Sequence, residues 1–130
     1  MHMDQRLQLG KLGEKQAARF LKRKGFRIVT RNYACPRGEI DIVALDGKVV
    51  VFVEVKTRSN QEHADPIDAV DRHKQRQLTN TAKYFLKHTI SEHSICRYDV
   101  ITLISEDQGS FDIQHYEDAF APSDANRLGR

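Results

Sequence analysis

The chain has 130 residues, of which 39% are hydrophobic and 30% are charged, and its formal net charge is +3. This length suits one soluble domain with its own core, and the lack of a long apolar run in the sequence argues against a membrane-spanning helix, so we expect a cytoplasmic protein. Two cysteines are too few for a disulfide scaffold, and we expect reduced thiols. The charge is uneven, because residues 11–37 carry nine Lys or Arg against one acid, Glu14. Such a region suits a polyanion such as nucleic acid, although a solvated helix face would have the same composition.

The first predicted element is an amphipathic helix over about 5–24, because apolar residues recur at helical spacing up to Gly25. Glu14 falls in line with Leu21 on this helix and therefore faces the core. A lone acid on the core side is costly, which leaves two interpretations: a partner such as an arginine, or a metal ion. A first strand is predicted at 26–32.

Two β-rich runs separated by an Asp-Gly pair predict an antiparallel hairpin, with strands at about 38–45 and 48–57. Asp-Gly is a strong signal for a tight turn because glycine tolerates a positive φ. With the turn at 46–47, Asp41 would lie opposite Phe52 in the ladder.

The hairpin predicts a cluster of charged side chains on one face of the sheet. Side chains alternate along a strand, so Glu39 and Asp41 share a face with Glu54 and Lys56, and Glu39 would lie opposite Glu54. Carboxylates this close repel one another unless something neutralises them. A divalent cation would do so, and Mg²⁺ takes oxygen ligands from one or two carboxylates.

A second helix is predicted to start at 65–66, where Asp-Pro is a typical N-terminus, and to end near His88. Its inner face would carry Val70, Leu78, Thr81, Ala82 and Phe85. Lys74 and Gln77 fall on the same stripe, which is unusual for packing residues. A lysine whose ammonium reaches back to the surface is the simpler alternative for Lys74.

Two more strands are predicted, at 96–104 and at 111–116. The order of helix, three strands, helix and two strands predicts an α/β fold with a mixed sheet between two helical layers. We expect one domain over 1–116 and a polar, flexible C-terminal tail over 117–130.

The spacing of Asp41, Glu54 and Lys56 on neighbouring strands is the pattern of the PD-(D/E)xK nucleases, with Ile40 in place of the proline in that name. Further motifs match a narrower family: Gly13-Glu14, Asn32-Tyr33, the runs 38–43 and 52–58, Lys74, and Arg97-Tyr98-Asp99-Val100. Together they resemble the YraN-like family, small bacterial proteins that are predicted endonucleases and are similar to archaeal Holliday-junction resolvases.

This resemblance implies a restriction-endonuclease-like fold, a three-layer α/β/α arrangement with a central mixed β-sheet. It implies that Asp41 and Glu54 bind metal, that Lys56 is the catalytic lysine, and that Glu14 is an additional catalytic and metal-binding acid. The candidate supporting residues are Glu39, Lys74 and Gln77. The candidate nucleic-acid contacts are Arg31, Arg37 and Arg58.

The resulting hypothesis is a Mg²⁺-dependent DNA endonuclease, with Mn²⁺ as a substitute and branched DNA as one possible substrate. Phosphodiester hydrolysis needs an activated water and stabilisation of charge on the phosphate, which Mg²⁺ and a nearby lysine supply. A resolvase-like enzyme would act as a homodimer, because it cuts two strands symmetrically. Two alternatives stay open. One is a nucleic-acid-binding module of the same fold with little or no activity, acting with an unidentified partner protein. The other is a structural role for the acids, in salt bridges with Lys56 and Lys74.

Overall fold

The computed structural model describes residues 3–59 and 70–121. Its elements are α1 (Met3–Arg23), β1 (Arg27–Cys35), β2 (Gly38–Asp46), β3 (Val49–Ser59), α2 (Arg72–Thr89), β4 (Cys96–Ser105), a 3₁₀ turn (Asp107–Gly109) and β5 (Phe111–Phe120). Within these ranges the predicted order of helices and strands is confirmed. No helix in the described ranges combines the length and apolar character that crossing a membrane requires.

The five strands form one mixed sheet, in which spatial order follows chain order from β1 to β5. Strands β3 and β4 are parallel, and the other three neighbouring pairs are antiparallel. A parallel pair needs a long crossover, and α2 lies in the segment that supplies it. The fold is therefore α/β, as predicted.

The two helices cover opposite faces of the sheet. On one face, Phe85 of α2 meets Phe52 of β3 edge to face, with ring centroids 5.8 Å apart, in a buried cluster with other residues of β2 to β4. On the other face, Leu21 of α1 packs in a second cluster with Val51 and Val53. Because both faces of β3 are covered, its run of apolar residues is buried on both sides.

The hairpin of β2 and β3 is present, but its predicted pairing is wrong. Asp46 belongs to the ladder and pairs with Val49, so the turn consists of Gly47 and Lys48. Gly47 adopts a φ of +60°, which favours glycine. Every partner within the ladder, from Ile42 to Asp46, is therefore displaced by two positions, a shift that does not change the face of a side chain because faces repeat every two residues.

Three boundaries differ from the predictions. Strand β1 continues to Cys35, where a loop was expected after residue 32. Helix α2 begins at Arg72, after Asp71, whose carboxylate caps it by accepting from the Lys74 N–H at 2.9 Å; the predicted start at 65–66 lies outside the described residues. Strand β5 reaches Phe120 and so enters the predicted tail, whose last nine residues also lie outside the described ranges.

Candidate functional site

An acid pair occupies the place where β2 and β3 separate. The ladder between the two strands extends only as far as Ile42 and Val53. Just beyond the ladder, the Asp41 side chain replaces a backbone partner, because its Oδ2 accepts a hydrogen bond from the Val55 N–H at 2.8 Å. This holds the Asp41 carboxyl beside the Glu54 carboxyl, with which it shares a hydrogen bond. Two carboxyl groups form such a bond only when one of them carries a proton.

The surroundings of Asp41 favour its protonated form. Burial is the largest cause, followed by the negative charge of Glu54 and, more weakly, that of Glu14; the hydrogen bond from Val55 acts in the opposite direction. Together they raise the pKa of Asp41 from its ordinary value of 3.8 to about 7. Near neutral pH this carboxyl is therefore poised between its two protonation states.

Two lysines converge on Glu54, whose residue surface is only 4% exposed. The Lys56 Nζ lies 3.3 Å from Glu54 Oε2, and the Lys74 Nζ lies 3.5 Å from the same oxygen. Lys56 is two residues further along β3, and Lys74 comes from the first turn of α2. The inward direction predicted for Lys74 is confirmed. The salt bridges with Lys56 and Lys74 that we expected if the acids had a structural role are also present, on Glu54.

Glu14 reaches the same region from α1. Helix α1 approaches β3 closely at Gly13, where a Cβ atom would overlap the Thr57 side chain. Burial raises the pKa of Glu14, and the charge of Arg31 and a hydrogen bond with Asn32 offset this only in part. Arg31 Nη2 lies 3.8 Å from Glu14 Oε1, beyond hydrogen-bonding distance. That oxygen is buried and has no hydrogen-bond partner among the described residues. An arginine partner is thus present, but it leaves Glu14 incompletely satisfied.

Glu39 lies apart from this cluster. It is exposed and pairs with Ala34 in the ladder between β1 and β2. The next residue, Ile40, is buried with the core on the α2 side, as is Val43, so the strict alternation assumed for this strand does not hold. The predicted position of Glu39 opposite Glu54 is therefore not observed.

The other predicted residues are distributed around the cluster. Gln77 packs over Gly38, since a Cβ there would come within 2.9 Å of Gln77 Cγ. Arg37 lines the surface beside α2. Arg58 is two residues beyond Lys56 on β3 and pairs with Ile104 in the parallel ladder.

The donor set suits a hard cation, with Asp41 and Glu54 as the residues that would hold it. As the side chains stand, no three Asp, Glu, His or Cys residues of the described ranges converge closely enough to hold one ion. Mg²⁺ needs only one or two carboxylates and keeps several waters. The proton shared by the acid pair and the unsatisfied oxygen of Glu14 are both features that a nearby positive charge would relieve.

A sequence profile described as "Uncharacterised protein family UPF0102" matches residues 13–103. The chain belongs to this family. A UPF0102 protein of Prosthecochloris aestuarii is 43% identical over 117 residues, covering 86% of this chain and 92% of the relative. A UPF0102 protein of Pelotomaculum thermopropionicum is 40% identical over 118 residues, covering 90% and 98%. These matches confirm the predicted membership of the YraN-like family.

This UPF0102 chain has a second charged cluster, which sequence reasoning missed, near the start of β4. Asp99 is 1% exposed and accepts hydrogen bonds from Arg97 Nε at 3.0 Å and from the Asp118 N–H at 2.9 Å, and it contacts His115 Nε2 at 2.8 Å. Arg97 also donates to Asp46 at 2.9 Å. Burial alone would raise the pKa of Asp99, but these hydrogen bonds outweigh it and hold the pKa below its ordinary value. The cluster ties β4 to β5 and to the hairpin, which explains Arg97 and Asp99 in the quoted motif structurally.

Proposed function

We propose that this UPF0102 protein is a metal-dependent endonuclease that hydrolyses phosphodiester bonds in DNA. The observation that carries the proposal is the Asp41–Glu54 acid pair beside Lys56, with the pKa of Asp41 raised to about 7. Strongly perturbed acids next to a specific charged partner are typical of functional sites. The two helices on opposite faces of a mixed sheet are also what a restriction-endonuclease-like, three-layer α/β/α fold requires.

Asp41 and Glu54 would hold Mg²⁺, or Mn²⁺ in its place. When bound, the ion supplies a water of lowered pKa and neutralises charge on the phosphoryl oxygens. Release of the proton between Asp41 and Glu54 makes both carboxylates available as ligands. The Val55 N–H keeps Asp41 beside β3 during this change, because it donates to Asp41 Oδ2.

The lysines and Glu14 complete the catalytic group. Lys56 is a cation beside Glu54, and its N–H groups would donate hydrogen bonds to a phosphate oxygen as negative charge develops there. Lys74 remains paired with Glu54 and holds it in position. The unsatisfied oxygen of Glu14 would accept a hydrogen bond from a water on the α1 side.

The substrate would reach this cluster through a groove beside α1. The groove has a volume of about 460 Å³, and Arg6, Lys11, Glu14 and Lys56 are among the residues that line it. Its cations suit the phosphate backbone, which positions a nucleic acid without reading its sequence. The resemblance to resolvases makes branched DNA and a homodimer the first possibilities to examine.

Cleavage of a panel of labelled substrates tests the proposal: a four-way junction, a flap, a linear duplex, a single strand and an RNA. We expect Mg²⁺- or Mn²⁺-dependent cutting by the wild-type protein, and loss of cutting in Asp41→Asn. Asp112→Asn removes an exposed carboxylate on β5 and is the matched control, which should cut normally. Equal cutting by wild type and Asp41→Asn would refute the assigned site. Binding without turnover in wild type would favour the alternative, a nucleic-acid-binding module that acts with a partner.

A further inference from the structure

Helix α2 presents an exposed surface of a single charge sign. Its 18 residues include five Lys or Arg and no Asp or Glu. Lys74 is directed toward Glu54, whereas Arg72, Arg76, Lys83 and Lys87 are exposed. The apolar residues of the helix face the sheet, so these cations are on the side away from the core. This basic surface is separate from the basic region at 11–37 that the sequence predicts.

Arg37 turns this helix face into a groove. Two pockets of about 320 and 380 Å³ are found along α2, and both are lined by Arg37 and Asn80. The first also contacts Arg76, and the second also contacts Lys83 and Lys87. Because the pockets share lining residues, they form one continuous groove, which we call the α2 groove. Arg37 comes from the turn between β1 and β2 and faces the helix across it.

The α2 groove begins in the same turn of α2 that carries Lys74, which reaches the acid cluster. Lys74, which contacts Glu54, is only two residues before Arg76 on the same helix. From Arg76 to Lys87 the helix rises about 16 Å, at 1.5 Å per residue. That length corresponds to about five phosphates of one strand at 3.4 Å each. Four cations at this spacing complement the charge of a phosphate backbone.

We propose that the α2 groove binds the phosphate backbone of the same nucleic acid that the acid cluster cleaves. That the ligand is a nucleic acid rests on the proposed function, whereas the groove itself is defined by Arg37, Arg76, Lys83 and Lys87. The groove beside α1 and the α2 groove are on opposite faces of the sheet. The place where β2 and β3 separate, with Asp41 and Glu54, lies between the two helices, so a backbone that contacts both grooves by this route would bring a phosphodiester to the cluster.

Binding measured without cleavage tests this groove. The probe is a short fluorescein-labelled DNA duplex in EDTA, with affinity followed by fluorescence anisotropy from about 50 to about 200 mM salt. The test variant is Lys83→Gln/Lys87→Gln. The matched control is Arg27→Gln/Lys48→Gln, which removes the same charge from exposed positions at the hairpin-turn end of the sheet. Glutamine is a good helix former, and circular dichroism checks that each variant is folded.

We expect the α2 variant to bind about tenfold more weakly at low salt, and the slope of log K against log salt to fall by about 2, since two phosphate contacts are lost. The control should stay within about twofold of wild type, because charge far from the groove contributes little at this ionic strength. Equal weakening in both variants, or in neither, would overturn the groove. The proposal would also be overturned if binding to acidic vesicles depended on Lys83 and Lys87 while binding to the duplex did not.

The outcomes separate this inference from the proposed function. If the wild-type protein binds and cuts DNA but the α2 variant binds as well as the control, only the groove is wrong. If the α2 variant loses binding but wild type never cuts with Mg²⁺ or Mn²⁺, the groove stands and the endonuclease does not. If wild type binds no duplex at any salt concentration, the groove is refuted.

Discussion

Replacement of Asp41 by asparagine tests the strain in the acid pair without any substrate. Asparagine has nearly the same shape as aspartate, so its side-chain oxygen can still accept the hydrogen bond from Val55, and its amide can donate to Glu54. It cannot become negatively charged, so the repulsion from Glu54 and Glu14 disappears. We therefore expect Asp41→Asn to be more stable than wild type at every pH where both acids of the pair would otherwise be ionised.

The magnitude follows from the pKa of Asp41. This pKa is raised from 3.8 to about 7, so the folded protein binds the proton more tightly than the unfolded chain does. Wild type should consequently lose stability as the pH rises from about 4 to about 7. At 1.36 kcal/mol per pKa unit, the upper limit of this loss is about 4 kcal/mol. Because Asp41 is only half-buried and solvent screens part of the repulsion, we expect Asp41→Asn to gain about 2–3 kcal/mol near pH 8 and little near pH 4.

Urea titrations followed by circular dichroism measure the free energy of unfolding of both proteins at several pH values, in EDTA. The quantity of interest is the difference between wild type and variant, because groups common to both cancel. Asp112→Asn, at an exposed position, is the control and should differ from wild type by no more than about 0.5 kcal/mol at any pH. A difference for Asp41→Asn that does not change with pH, or a variant less stable than wild type near pH 8, would refute the reasoning.

Three further predictions concern the metal, the approach of α1 and the second charged cluster. In differential scanning fluorimetry near pH 8, Mg²⁺ or Mn²⁺ should raise the melting temperature of wild type but not of Asp41→Asn, and the rise should shrink near pH 5 as protons compete; indifference to both ions would contradict a metal site. Gly13→Ala should lower the free energy of unfolding by about 1–3 kcal/mol, because the new methyl group overlaps Thr57. Gly10→Ala in the same helix meets open space and should raise it by about 0.5–1 kcal/mol, so equal urea midpoints for these two variants would count against the close approach. Asp99→Ala should cost about 2–4 kcal/mol by urea titration, since it removes the buried acceptor that Arg97, His115 and the Asp118 N–H share, and a cost below about 1 kcal/mol would show that the cluster is dispensable. Since the pKa of Asp99 is lowered, the ionised carboxylate stabilises the folded protein, and wild type should lose that contribution to the free energy of unfolding only as the pH falls below about 4.

The hairpin shows how far local sequence signals carry. An Asp-Gly pair indicates that a turn is present, but it did not decide which two residues form it: the turn is Gly47-Lys48. The resulting error of two positions in the pairing preserves the faces, so Asp41 and Glu54 are still neighbours. The position of Glu39 failed for a different reason, since strict alternation does not hold around Ile40. Periodicity assumes a regular strand, and this one is irregular where it leaves its partner.

The features that the sequence did not reveal depend on tertiary contacts. The cluster around Asp99 joins residues of β4, β5 and the hairpin that are far apart along the chain. Nothing in the local pattern around His115 indicates a buried partner. The α2 groove is not evident from the sequence, because exposed cations on a helix have the pattern of a solvated face, and because Arg37 approaches them only once β1 and β2 are paired.

The contrast between the buried Asp99 and the half-buried Asp41 is an argument for a functional role of the acid pair. Asp99 is surrounded by donors from Arg97, His115 and the backbone, and its pKa is lowered, which is how a chain satisfies an acid that serves structure. Asp41 has one backbone donor and a second carboxyl beside it, and its pKa is raised. A stability cost of the size estimated above is a large fraction of what a small domain possesses. An asparagine in place of Asp41 would remove that cost. The acid pair is therefore better suited to a ligand that brings positive charge than to the stability of the fold.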